Sequence, residues 1–313
     1  MGPNRAGTIH DPGPRGARLQ FTRVDAVLLF MVLFWGANIS IVKVALRHFD
    51  PAVFNCLRFS LASTTMMVLY RHVFRDRMEK KELLSMLLLG ILGNTIYQFL
   101  FVYGVSFTYV THTSILLATT PIFTAAISSF FGVEAVRNKL WLGILLSFTG
   151  VLLIVFGRGG TEGFLRPNIG DLFILVASLV WSVYTTFSKR VITAYSPQHY
   201  IVYTVLFGTI FLVPPSIPAL AHQNWRSLGA YDWMAVVYSA LLALVYGYSA
   251  WYYGVHKIGS TRTSAYSNLT PVVGVAIGMI FLGERLSWLQ WTGALIIFVG
   301  LMINKFSIST PES

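Results

Sequence analysis

Residues 104–150, GVSFTYVTHTSILLATTPIFTAAISSFFGVEAVRNKLWLGILLSFTG, occur twice in this chain. Displaced by 150 positions they become residues 254–300, with 16 identities in 47 ungapped positions. Gly104, Thr113, Ser114, Thr120, Pro121, Glu134, Trp141, Gly143 and Gly150 all fall on identical residues. Upstream the offset becomes 146, and Asp25, Trp35, Lys43 and Pro51 fall on Asp171, Trp181, Lys189 and Pro197. A repeat of this length is a duplicated structural unit. Two halves, 24–157 and 170–306, are joined by a linker at 158–169 and flanked by tails at 1–23 and 307–313.

The repeated unit is made of apolar helices. The 313 residues are 55% hydrophobic, 15% aromatic and only 11% charged, where a soluble domain carries about 25% charged residues. Uncharged apolar runs of about 20 residues recur throughout, the length that crosses a hydrocarbon core. The predicted class is therefore an all-α integral membrane protein. Ten spans are expected, at 24–46, 51–70, 83–104, 108–131, 138–157, 170–190, 197–217, 231–255, 262–282 and 287–306. Asp25, Asp50, Asp171 and Ser196 stand where N-caps belong, Pro51 and Pro197 follow caps at the first helical position, and Ser287 with Gln290 has capping-box spacing. The single cysteine, Cys56, can form neither an intrachain disulfide nor a thiolate metal cluster.

Lys and Arg in short loops set the orientation. With the N-terminus inside, the inner segments hold 16 of the 23 basic residues and the outer segments 5, with Lys43 and Arg58 inside spans. Both termini are thus expected in the cytoplasm. The same bias accounts for the net charge of +11 without a nucleic-acid partner. The Gly-, Pro- and Arg-rich stretch 1–22 lacks the apolar core of a signal peptide and reads as a disordered cytoplasmic tail. Five spans per half turn the second half over in the bilayer. Such an inverted pair is the architecture of secondary transporters, with the site near the midplane between the halves.

The pattern resembles the EamA-type carriers of the drug/metabolite transporter superfamily. Trp35-Gly36-Ala37-Asn38 and Lys43 in the first span, Leu57-Arg58-Phe59 in the second, and the duplicated Thr-Pro, Glu, Trp and Gly positions carry the resemblance, which covers all but the N-terminal tail. It implies a bacterial inner-membrane exporter of amino acids or other small metabolites. It also implies a central cavity lined by the first, third, fourth, sixth, eighth and ninth spans. It does not specify the solute.

Trp35 lies about 15 Å into its helix, the middle of a bilayer core about 30 Å thick. Trp normally sits at the interface, so Trp35 and its repeat mate Trp181 are candidate cavity walls, with Asn38 and its mate Tyr184 beside them. Tyr97, Gln98, Tyr248, Trp251 and Tyr252 give apolar faces with polar tips that suit amphipathic solutes. His112 and Asn268 add polar groups, and His112 is the candidate proton relay. Lys43 and Lys189 either snorkel or act as charge or gating residues. Arg58 is an intramembrane charge on a span not expected to line the cavity, and both a structural and a pathway role stay open for it. Pro121 and Pro271 are expected to kink their helices.

All twelve acids fall in tails, loops or helix ends, with Glu134 and Glu284 read as loop anchors. The lack of a mid-membrane carboxylate disfavours cationic drugs and favours neutral, zwitterionic or carboxylate-bearing solutes. A nucleotide sugar or sugar phosphate is the alternative cargo, and passive flow through a facilitator or channel the alternative mechanism. No HExxH pair, paired mid-span acids or GxSxG elbow supports an enzyme. No cofactor or metal is expected. The expected partners are a small-molecule substrate, the lipid bilayer and protons as coupling ion, with one chain forming a functional monomer.

Overall fold

The computed structural model describes residues 21–156, 169–273 and 287–306, and these are helical with short connections. The helices are α1 (Arg23–Ala45), α2 (Pro51–Leu69), α3 (Lys80–Phe107), α4 (Val110–Leu117), α5 (Thr120–Phe130), α6 (Asn138–Phe156), α7 (Ile169–Ala194), α8 (Pro197–His222), α9 (Ala230–Ile258), α10 (Ser260–Ala265) and α11 (Trp288–Phe306). Seven helical segments are long and apolar enough to cross a membrane, with α6 and α11 as further apolar helices. The chain is a multi-pass membrane protein. The expectations for the tails, the linker, Glu284 and the end of the ninth span lie outside the described residues.

Helix starts follow local chemistry. Asp50 accepts from the Ala52 and Val53 N–H groups and Ser196 from that of His199, each with proline next. Ser287 and Gln290 form the reciprocal capping box. Two cap assignments need correction. Thr22 is the N-cap of α1, and Asp25 is the N3 partner of its capping box. Asp171 sits in the first turn of α7, where its carboxylate accepts from Thr108 and pairs with His112 Nδ1 at 2.9 Å. A carboxylate in the first turn complements the helix dipole.

The two proline spans are broken, not merely bent. The first divides at Ala118-Thr119 into α4 and α5, with Pro121 in the first turn of α5. The second runs through α10 and a 3₁₀ turn, Tyr266–Leu269, before helix resumes at Thr270 and Pro271. In both halves a proline thus reopens a helix, where its missing N–H is harmless. Two further interruptions are paired: α3 contains a π segment at Ile91–Ile96 and α9 one at Ser239–Tyr246. α8 runs on past its expected end and holds Pro214, Pro215 and Pro218.

α6 and α11 cross at backbone contact. A Cβ on Gly150 would lie 2.6 Å from the Gly293 carbonyl oxygen, and one on Gly143 would lie 2.6 Å from that of Gly300. Residue 143 meets 300 and 150 meets 293, so the helices run antiparallel. Only glycine permits this approach, which replaces the missing hydrophobic drive between helices in lipid by close van der Waals packing. This pair packs against the broken spans at Ala118 and Leu269, and none of its described residues lines the cavity described next.

Candidate functional site

The centre of the fold is an aromatic cluster drawn from four helices. Trp35 of α1 faces Trp251 of α9 at 5.2 Å and Trp181 of α7 at 6.0 Å between ring centroids. Trp181 also meets Tyr97 of α3 at 4.7 Å and Tyr248 of α9 at 5.3 Å. The rings meet mostly tilted or edge-on, the arrangement their quadrupoles prefer. The indole of Trp35 donates to the Ala243 carbonyl at 2.8 Å, inside the π segment of α9. That bond answers the need of an indole N–H deep in an apolar medium for a partner.

A cavity opens against this cluster. Trp35, Asn38, Tyr97, Gln98, Trp181, Tyr248 and Trp251 line it, as does Arg58. Arg58 is 1% exposed. Its Nε donates to Asn55 at 2.9 Å and Nη2 to Gln98 Oε1 at 2.5 Å, while Gln98 Nε2 donates to the Tyr248 hydroxyl at 2.6 Å. Phe54, Phe59 and Phe101 surround the guanidinium at 5.4, 5.7 and 5.9 Å from their ring centres, contacts that stabilise a desolvated cation. The expectation that the second span stays out of the lining is therefore corrected. α2 packs close enough to α3 to pass its arginine between Asn55 and Gln98 and into the wall.

Several expected residues stand elsewhere. Tyr184 and Tyr252 form a buried layer with Tyr200 beyond Trp181 and are not in the lining. Asn268 is wholly buried and turned away, while its neighbours Ser267 and Thr270 reach the cavity. His112 is occupied with Asp171. Lys43 neither snorkels nor lines the cavity: its ammonium donates to the carbonyls of Val105, Ser106 and Thr108 at 2.8, 3.0 and 2.8 Å, closing the C-terminal end of α3. Lys189 pairs with Glu134 at 2.8 Å. Ser114 and Thr120, also missed, reach the lining through the break between α4 and α5.

The two ends of the fold differ. From the tryptophans the lining runs through Asn38, Ile39, Phe101 and Ser114, toward the end where Lys43 holds α3. From the cavity wall at Thr120 toward Glu134, hydroxyls on α7 bond across to α5, and α5 in turn to α10. Ser178 bonds Thr119 and Thr120 at 3.0 and 2.8 Å, Ser182 donates to the Thr120 carbonyl at 3.1 Å, and Ser128 meets Thr186 and Ser260 at 3.3 Å. Ser178, Ser182 and Thr186 recur every four residues, one stripe on α7 that was visible in the sequence. Below them Glu134 accepts from Lys189 and from the N–H groups of Ser260 and Thr261 at 2.6 and 3.0 Å. Burial pushes the Glu134 carboxyl up, but hydrogen bonds from Lys189 and Thr261 and the lysine charge outweigh it and hold the group below its ordinary value. Among the described residues no group of three or more His, Cys, Asp or Glu is placed to hold a metal ion.

Known proteins match most of this chain. The model of the EamA-like transporter family matches residues 22–156 and again 168–306. A protein of Salmonella typhimurium named a probable amino-acid metabolite efflux pump is 30% identical, over 91% of this chain and 96% of its own length. An uncharacterized transporter of Bacillus subtilis, YyaM, is 27% identical over 94% and 97%. A solved crystal structure superposes with a TM-score of 0.74 over 91% of this chain and 96% of that one, at 16% identity, which speaks to the fold alone. With its family model matched in both halves and relatives over nearly their whole length, the chain belongs to the EamA-like transporter family.

Proposed function

We propose that the chain is a secondary exporter of amino acids or similar neutral, zwitterionic or carboxylate-bearing amphipathic solutes, working by alternating access. The observation that carries this reading is the cavity itself. It has a tryptophan floor, one buried arginine in its wall and, among the described residues, no acidic residue in its lining. An aromatic wall holds the apolar body of a solute, and a desolvated guanidinium favours an anionic group. A sugar phosphate or nucleotide sugar would call for several converging cations, and Lys43 is already spent on backbone carbonyls.

In this reading ten spans form an inverted pair, the termini are cytoplasmic, and one chain makes a complete pathway in a bacterial inner membrane. The Glu134 end is then the inner end. The cavity, closed there by the hydroxyl stripe and the Glu134–Lys189 pair, faces outward. The breaks at Ala118-Thr119 and Tyr266–Leu269 are the joints about which the cavity helices move. Protons are the proposed coupling ion, with the His112–Asp171 pair as the group that handles them.

Counterflow tests the proposal. Proteoliposomes of the full chain, loaded with unlabelled amino acids, are expected to take up the labelled amino acid saturably. Trp35→Ala, which removes the partly buried ring joining α1 to α7 and α9, is expected to reduce that uptake by about thirtyfold, the loss of such an aromatic contact costing about 2 kcal/mol. Uptake of a sugar phosphate or nucleotide sugar, with no amino acid moving, would overturn the substrate class. Linear, non-saturating flux without counterflow would replace the carrier by a passive pathway.

A further inference from the structure

We infer that the cavity recognises the carboxylate and the apolar body of its solute but not an α-amino group, so that its substrate class is arylalkyl monocarboxylates with or without the amine. The inference deepens the export reading and rests on it for the statement that the cavity is a transport site. Three observations converge. First, the guanidinium of Arg58 is only partly used: Nε and Nη2 are bonded to Asn55 and Gln98, and Nη1 has no hydrogen-bond partner among the described residues although the side chain is 1% exposed and lines the cavity. Secondly, Tyr97 and Tyr248, each with a phenol hydroxyl, share the cavity lining with Arg58. The Tyr248 oxygen accepts from Gln98 and keeps its own proton to donate, and the Tyr97 hydroxyl has no partner among the described residues. Arginine and two phenols make a set of donors with no protein acceptor, the complement of a carboxylate. Thirdly, among the described residues neither an aspartate nor a glutamate lines the cavity or hydrogen-bonds Arg58.

Among the described residues, an ammonium in this cavity meets only neutral oxygens. Asn38 Oδ1 already accepts from Ser239 at 2.6 Å, and the Ser114 and Ser267 hydroxyls, whose protons go to carbonyls of their own helices, are left as uncharged acceptors that do not offset the guanidinium. The tryptophan floor by itself would attract a cation. The arginine at its edge opposes one, since a like charge in a medium of low dielectric is repelled far more strongly than in water. The carboxylate arm therefore dominates recognition.

Binding to the full chain in nanodiscs, followed by tryptophan fluorescence, separates these features with four probes: 3-phenylpropionate, L-phenylalanine, phenethylamine and 3-phenylpropan-1-ol. The two carboxylates are expected to bind within a few-fold of one another. The amine and the alcohol are expected to bind about tenfold or more weakly, the loss of a charge-assisted hydrogen bond. Arg58→Gln is expected to erase that gap. Tyr248→Phe, which preserves the ring packing, is expected to weaken only the carboxylates, so the result survives if Arg58→Gln fails to fold. The inference is overturned if phenethylamine binds as well as 3-phenylpropionate, if L-phenylalanine binds about tenfold tighter than its deaminated analogue, or if no probe binds. Amino-acid counterflow with no carboxylate preference would remove this inference and leave the export reading. Carboxylate-selective binding without flux in liposomes would do the reverse.

Discussion

Replacing Glu134 by alanine is expected to destabilise the protein by about 2 kcal/mol and to part the closed end of the fold. The magnitude follows from what the carboxylate holds. It accepts from two N–H groups at the start of α10, where loss of a capping acceptor costs about 1 kcal/mol, and it neutralises Lys189. Lys189 is 35% exposed and recovers part of its loss from water, which keeps the total well under the cost of orphaning a fully buried charge. Gly259, with φ +89°, turns the chain so that Ser260 and Thr261 present their N–H groups together, and a side chain there would strike the carboxylate. The measurement is thermal unfolding in detergent, paired with thiol labelling of Ser128→Cys in a Cys56→Ser background. Faster labelling in Glu134→Ala is expected, and equal labelling would show that the carboxylate does not hold this end shut.

The same group gives a pH signature. A carboxyl held below its ordinary value contributes stability that is complete above that value, 4.5 here, and is lost as pH falls through the lower folded value. The stability gap between wild type and Glu134→Gln is therefore widest near neutrality and closes on acidification below about pH 4.5. A gap that widened toward acid would contradict the assignment.

Gly150→Leu is expected to be the most damaging single change described here. The added Cβ alone would sit 2.6 Å from the Gly293 carbonyl oxygen and 2.9 Å from the Ile297 backbone nitrogen. The backbone of a facing helix cannot rotate aside as a side chain can, so α6 and α11 must separate. Overpacking typically costs 1–3 kcal/mol, and with two backbones in opposition about 3 kcal/mol or more is expected. Size-exclusion chromatography of the detergent-solubilised protein should lose its monodisperse peak. Leu145→Ala, on the half-exposed face of α6, is the control and should keep it. A monodisperse Gly150→Leu with an unchanged melting temperature would mean the helices do not meet at these glycines.

The tryptophan floor was legible because tryptophan in mid-span contradicts its usual interfacial place, and a contradiction that recurs at Trp35 and Trp181 points to a shared cause. Asn268 was misplaced for a geometric reason. Assigning faces at about 100° per residue assumes an α-helix, but Tyr266–Leu269 is 3₁₀, where residues three apart eclipse. Ser267 and Thr270 therefore reach the cavity together, and Asn268 turns into the core. Arg58 was legible as an anomaly and not as a wall residue, because which way a buried arginine leans depends on Asn55 and Gln98, on separate helices. Snorkelling was one of two readings open for Lys43, yet the C-terminal end of α3 offers its ammonium three carbonyls at 2.8, 3.0 and 2.8 Å.

The paired π segments bear on how such a cavity changes over evolutionary time. A π turn holds one residue more than an α turn. Deleting a residue there lets the segment close as α-helix over the same angle, so what lies beyond keeps its face, whereas the same deletion in an α stretch would turn it by about 100°. A deletion at Leu241, inside Ser239–Tyr246, is expected to yield folded protein in which Tyr248 and Trp251 still face Trp35 and Trp181. Its measurable outcome would be a normal chromatographic peak with probe selectivity little changed. An unfolded product would show that the extra residue is structurally required. With a second such turn at Ile91–Ile96 upstream of Tyr97 and Gln98, each half carries its own site where the chain can lose a residue while the wall beyond it keeps its facing.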